Sequence, residues 1–223
     1  MNYMYSTNDV HSLHTNLFSI FRKQNLDFQA IKSSRTVTTR RHQDVMTFSY
    51  VRPLSEAIIV ERKMGLETSN SLDLRRHPVI ELRAVTDGII LELVIAPEAR
   101  CDQQNLVGKL SVERHRRYFR KMIARLHPDC RLGFWEGTHL DEMHLTANQL
   151  SYSTVFDQWM STYADGQDWF RIGRWYPAED IDEGFTSDIY RHAEMFYGFY
   201  NYIAWTGNND YRAFHNDADV AYA

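Results

Sequence analysis

Apolar residues recur along this chain with two different periods, and the changes between them mark out its elements. Over residues 9–24, Val10, Leu13, Leu17, Ile20 and Phe21 fall at helical spacing, with Asn8 as a cap and Asp9 in the first turn. From Gln29 to Ala96 the pattern becomes that of strands. Threonine, valine and aromatic residues gather in RTVTTRR and DVMTFSYV, and AIIVERKM, PVIELRAV and IILELVIA follow. Asp87-Gly88 between Val79–Val85 and Ile89–Ala96 predicts a hairpin, because Asp-Gly supplies the positive φ angles of a two-residue turn. Both strands are apolar at nearly every position, so both faces of the sheet are expected to be covered there.

Beyond the sheet the helical period returns. A helix is expected over 111–126, opened by Ser111 and closed before Pro128. Arg131–Trp135 reads as a short strand, and 151–164 as a helix through Val155, Phe156, Trp159, Met160 and Tyr163. Phe170–Tyr176 is strand-like and ends at Pro177; a last helix runs over 186–204, capped by Thr186 or Ser187. This order predicts an α+β fold: a largely antiparallel sheet from about residues 30–96 with flanking helices, then a mixed, aromatic-rich α/β carboxy-terminal third.

Composition narrows the class. With 43% apolar and 24% charged residues, the chain has enough apolar material to offset the entropy of folding, which excludes a charge-driven disordered chain. No run reaches the roughly 18 consecutive apolar residues of a membrane span, so no membrane partner is expected. The start MNYMYSTNDVHSLH lacks the basic and apolar regions of a secretory signal, and Cys101 and Cys130 are too few for a disulfide framework. The expected compartment is the reducing cytoplasm.

Charge changes the picture more. Residues 133–223 hold fifteen acidic residues against four basic ones, a net −11, while residues 1–132 carry +7. The chain is therefore expected to comprise a basic helix-plus-sheet region, 1–132, and an acidic aromatic-rich region, 133–223, packed as one compact unit. In the 111–126 helix, Arg114, Arg117, Arg120, Lys121 and Arg125 share one arc opposite Phe119, Met122, Ile123 and Leu126. Arg114, Arg117, Lys121 and Arg125 are the candidate contacts to a nucleic-acid backbone, which would make binding salt-dependent. The competing expectation has these cations paired with acids such as Asp165, Asp168, Glu179 or Asp182.

Candidate chemistry is sparse. Glu61 and Lys63 at the end of an apolar strand, with Asp44 upstream, form the set a divalent-metal nuclease or phosphodiesterase would use: carboxylates for the ion and a lysine to orient water. No cofactor is expected unless that reading holds, in which case it would be magnesium. His139 and His144 are five apart and share neither a helix face nor a strand face, so no metal site is expected there. Phosphate-loop, dinucleotide-turn and nucleophile-elbow motifs are absent. The aromatics Trp169, Trp175, Tyr197 and Tyr200 are candidates for an interface or ligand surface, with a small-ligand pocket walled by Trp169, Trp175 and Tyr200 as the alternative. Taken together, these features favour a non-catalytic binding or accessory protein. Its expected partner is another protein or a second copy of itself, with nucleic acid as a further partner.

Overall fold

Strands β1 (Gln29–Ser33), β2 (Met46–Val51), β3 (Val79–Val85) and β4 (Gly88–Ile95) form an antiparallel meander in the first half of the chain. The computed structural model describes residues 7–23, 27–38, 46–67, 71–136, 144–182 and 184–213. Three later strands complete the sheet: β5 (Arg131–Gly133), β6 (Leu145–Thr146) and β7 (Phe170–Pro177). The strand order is β1-β2-β3-β4-β7-β5-β6, antiparallel throughout. The fold is α+β as expected, and β7 carries the acidic third into the middle of the sheet beside β4. The sheet is thus continuous across the charge break near residue 132.

One sheet face is apolar. Phe48, Tyr50, Ile80, Leu82, Leu91, Leu93, Phe170 and Ile172 are buried there in one cluster with the helices. The helix α1 (Thr7–Lys23) contributes Val10, Leu13, Leu17 and Phe21, all buried at i, i+3, i+7 and i+11. It begins at Thr7, so Asn8 lies inside the helix rather than at its cap. The long helix α7 (Phe185–Ile203) packs across β3 and β4 with Ile189, Phe196, Phe199 and Ile203 buried. Its start is held by Asp182, whose Oδ1 accepts from the Gly184 and Phe185 amides at 2.8 and 3.0 Å, and not by Thr186 or Ser187.

Five other expectations change. AIIVERKM is not a strand but the body of α2 (Leu54–Lys63), where Ala57, Val60 and Glu61 are buried at i, i+3 and i+4. The β-branched run favours a strand only weakly, and tertiary packing overrides it. In RTVTTRR, Arg35 is exposed and Thr36–Thr38 are buried, all without strand pairing, and residues 39–41 lie outside the described residues. In the β3–β4 hairpin the turn residues are Thr86 and Asp87, with Val85 paired to Gly88. Glycine is needed at 88 for close approach, since a Cβ there would sit 2.2 Å from the Tyr176 carbonyl oxygen. A helix absent from the sequence reading, α3 (Arg100–Leu110), precedes α4 (Glu113–Ile123), which is shorter than the 111–126 expected. The helix expected over 151–164 is the shorter α6 (Ser153–Ser161), and it is preceded by α5 (Ala147–Leu150), which a Thr146/Gln149 capping box opens.

The second sheet face is buried too, but it is charged. Glu81 on β3 stands directly opposite Glu92 on β4, a like-charge pairing that is unfavourable by itself. Two arginines resolve it. Arg83 donates from Nη2 to Glu92 Oε1, and Arg171 on β7 donates to Glu92 Oε2 from Nη2 at 2.7 Å and from Nε at 3.2 Å. All four side chains are essentially inaccessible to solvent. Glu81 Oε1 accepts from the Val37 amide at 2.9 Å and from Ser49 Oγ at 3.2 Å. Burial raises the Glu81 carboxyl to about 7; Arg83 opposes that rise and Glu92 adds to it.

Two stability outcomes follow from this network. Glu92→Gln leaves two guanidinium groups buried against one neutral amide and should cost about 3–5 kcal/mol by denaturant unfolding. A loss under about 1 kcal/mol would mean that the arginines find other partners. Glu81 acts in the opposite sense. Between the usual carboxylate range and about pH 7 the folded chain holds a proton that the unfolded chain has released, so the Glu81 contribution falls as pH rises through that window. Glu81→Gln keeps an acceptor oxygen and removes the titration. Its gain in stability over the parent should therefore be larger near pH 8 than near pH 5, and a pH-independent difference contradicts the assignment.

Candidate functional site

α4 docks by its aromatic and aliphatic side. Phe119, Ile123 and Leu126 are buried, and the Phe119 ring meets Phe199 and Tyr202 at centroid distances of 5.3 and 5.2 Å. That contact fixes the opposite side toward solvent. Arg114, Arg117, Lys121 and Arg125 are all exposed; with Arg125 in the turn just past the helix, they fall within about 80° of one another at 100° per residue. Their partners are few. Arg117 reaches Glu113 on its own helix at 3.5 Å, with both side chains more than half exposed, and such pairs contribute only about 0.3–0.5 kcal/mol. No carboxylate among the described residues lies within 4 Å of Arg114, Lys121 or Arg125.

The acids proposed as competing partners are occupied elsewhere or lie apart. Asp168 Oδ2 accepts from the Ala164 amide at 2.8 Å, and Asp182 holds the start of α7. Among the described residues, Arg116 is the one α4 cation that pairs with an acid of the acidic third, reaching Asp157 at 3.6 Å while its Nε donates to the Leu110 carbonyl at 3.0 Å. Arg120 is half-buried and stands apart from the exposed four.

Beside this stripe lies an open cleft of ≈ 370 Å³ lined by Lys109, Arg114, His115, Tyr118, Tyr202 and Asn209. α3 builds its floor. Lys109 Nζ donates to the Tyr202 carbonyl at 2.6 Å and to Asn209 Oδ1 at 2.5 Å, and it sits 4.9 Å from the Tyr202 ring centroid. Burial lowers the Lys109 ammonium to about 8, while Asp210 opposes the fall. One turn earlier, Asn105 Nδ2 donates to the Ile203 carbonyl at 3.0 Å. Asp102 Oδ1 accepts from the Trp205 amide at 2.7 Å and from Arg52 Nη2 at 2.5 Å. Three polar residues on one side of α3 therefore satisfy the backbone at the end of α7, where a helix leaves carbonyls without partners.

The nuclease set does not assemble among the described residues. Asp44 lies outside them. Glu61 and Lys63 are two apart on a helix, so they point about 200° from each other. Glu61 is buried against Arg76 at 3.3 Å and His77 at 3.9 Å. Burial, then the Arg52 and Arg76 charges, lower His77 to about 3 and keep it neutral. Lys63 turns the other way, to Asp210 at 3.0 Å and over the Trp205 ring at 4.0 Å. Of the histidine stretch only His144 is described, buried against Gly133. No group of three histidine, cysteine or carboxylate residues suited to a metal ion occurs among the described residues. Burial pushes Cys130 up to about 12 and raises Cys101 as well, so neither thiol is activated.

The aromatic candidates separate. Trp169 is buried on the charged side of the sheet beneath the Arg75 guanidinium, 4.9 Å from its ring. Trp175 is 44% exposed on that side and lines a cleft of ≈ 580 Å³ with Arg174, Asp180 and Asp188. Tyr197 and Tyr200 sit across the sheet on α7, lining a different cleft of ≈ 370 Å³ with Phe28 and Arg52. Trp169, Trp175 and Tyr200 therefore wall no common pocket. Neither a family model nor a curated protein sequence matches the chain. No helix among the described residues is long and apolar enough to cross a membrane.

Proposed function

We propose that this protein is a non-catalytic binding protein that takes a nucleic-acid backbone on the outward side of α4. The observation that carries this reading is the stripe of Arg114, Arg117, Lys121 and Arg125, exposed together and, among the described residues, within 4 Å of no carboxylate of the acidic third. From Arg114 to Arg125 the helix rises roughly 16 Å, about the axial length of five nucleotides along a duplex strand. Four phosphate contacts fit that length.

Binding to a labelled oligonucleotide, followed by anisotropy across a salt series, should give a log–log slope of about −3 to −4. Replacing one of the four cations by alanine should lower the slope by about one unit. Arg117→Glu with Lys121→Glu should abolish binding while stability changes by no more than about 0.5 kcal/mol. Retained affinity in the double variant, or a loss of stability with affinity unchanged, contradicts the reading.

A further inference from the structure

The cations of α4 are interrupted by an aromatic residue that solvation does not explain. Tyr118 is 54% exposed and stands four residues after Arg114, three before Lys121 and seven before Arg125; at 100° per residue it falls about 20° beyond Arg125, on the edge of the stripe that faces Tyr202. An exposed arginine or lysine at that position would serve a merely wet helix face equally well.

Tyr118 is also held in place. Its ring lies over that of Tyr202, with centroids 6.0 Å apart and planes 28° from parallel. Tyr202 is buried, its hydroxyl donates to the His115 carbonyl of α4 at 3.2 Å, and Lys109 sits against its ring. One ring is thus locked into the core and supports a second ring that faces solvent. Both line the open ≈ 370 Å³ cleft together with Arg114, a volume within the range of small-ligand sites.

Resting on the nucleic-acid reading of α4, we infer that its ligand is single-stranded, with one unstacked base lying on Tyr118 and the flanking phosphates on Arg114, Lys121 and Arg125. In a duplex the base faces are stacked inside the helix and out of reach of Tyr118. In a single strand every base offers a π-face, so an exposed aromatic set among cations selects strandedness and not sequence.

The test uses a fluorescein-labelled oligothymidylate and the same strand annealed to its oligoadenylate complement. The expected result is tighter binding of the single strand, by about tenfold or more. Tyr118→Ala should weaken single-strand binding by about 5- to 100-fold with the salt slope unchanged, while Tyr118→Phe retains it. The Tyr118 side chain is exposed, so its replacement should leave the melting temperature near that of the parent. Equal or tighter binding of the duplex, or unchanged single-strand affinity in Tyr118→Ala, overturns this inference and leaves the backbone reading standing. Failure of both forms to bind overturns the two together.

Discussion

Glu92 is one carboxylate holding two buried guanidinium groups, Arg83 from the neighbouring strand β3 and Arg171 from β7 on the other side. Charges of this kind are tolerated in an interior only when each has its partner, because removing water from an unmatched ion costs several kcal/mol. The arrangement therefore admits one register. Sliding β7 by a single residue would turn Arg171 onto the apolar face, among Ile172 and Phe170, and would leave Glu92 half-satisfied. Gly173, directly opposite Glu92, adds no side chain between them. β7 is fixed beside β4 by this constraint. With β7 in place, β5 follows, and the acidic third becomes part of the sheet formed by the basic region.

The placing of the α4 cations depends on the same logic. α7 ends at Ile203, and its last carbonyls would be orphaned in the interior without the polar side of α3. Asp102, Asn105 and Lys109 meet that end of α7, and Arg52 ties the β2–α2 junction to it. α4 follows α3 after two residues and packs Phe119 onto the aromatic side of α7, so its cations are turned outward by the core behind them. Two partly exposed ion pairs among the described residues, Lys63–Asp210 and Arg116–Asp157, link the two regions. The regions are joined by buried bonds and aromatic packing, which leaves the basic stripe exposed.

Much of this was legible in the sequence. The β3–β4 hairpin showed as two apolar runs around a turn, and α1 and α7 showed through their periodic apolar positions. The cations of α4 could be placed on one side because helical geometry alone puts them there. Three features were hidden for physical reasons. α3 buries Asp102, Asn105 and Lys109, so its inward side is polar and hydrophobic periodicity does not reveal it. α2 contains Ile58, Ile59 and Val60, whose strand propensity masks a helix chosen by the burial of Ala57, Val60 and Glu61. The charged network had a visible sign, since Glu81, Arg83, Glu92 and Arg171 interrupt otherwise apolar strands. Pairing across β4 and β7 is a long-range contact, however, and no local pattern encodes it. Tyr118 carried a similar sign, as the one aromatic residue set among the arginines on the exposed side.

The most direct test of the account is a map of where a single-stranded oligonucleotide touches the folded chain. Backbone amide resonances of isotope-labelled protein, followed through a titration with oligothymidylate, should shift over α4 and the turn that follows it, and around Tyr202 where the supporting ring lies. Residues of the Trp175 cleft and of the Tyr197–Tyr200 cleft should stay unmoved. Shifts centred on either of those clefts, with α4 silent, would contradict the account.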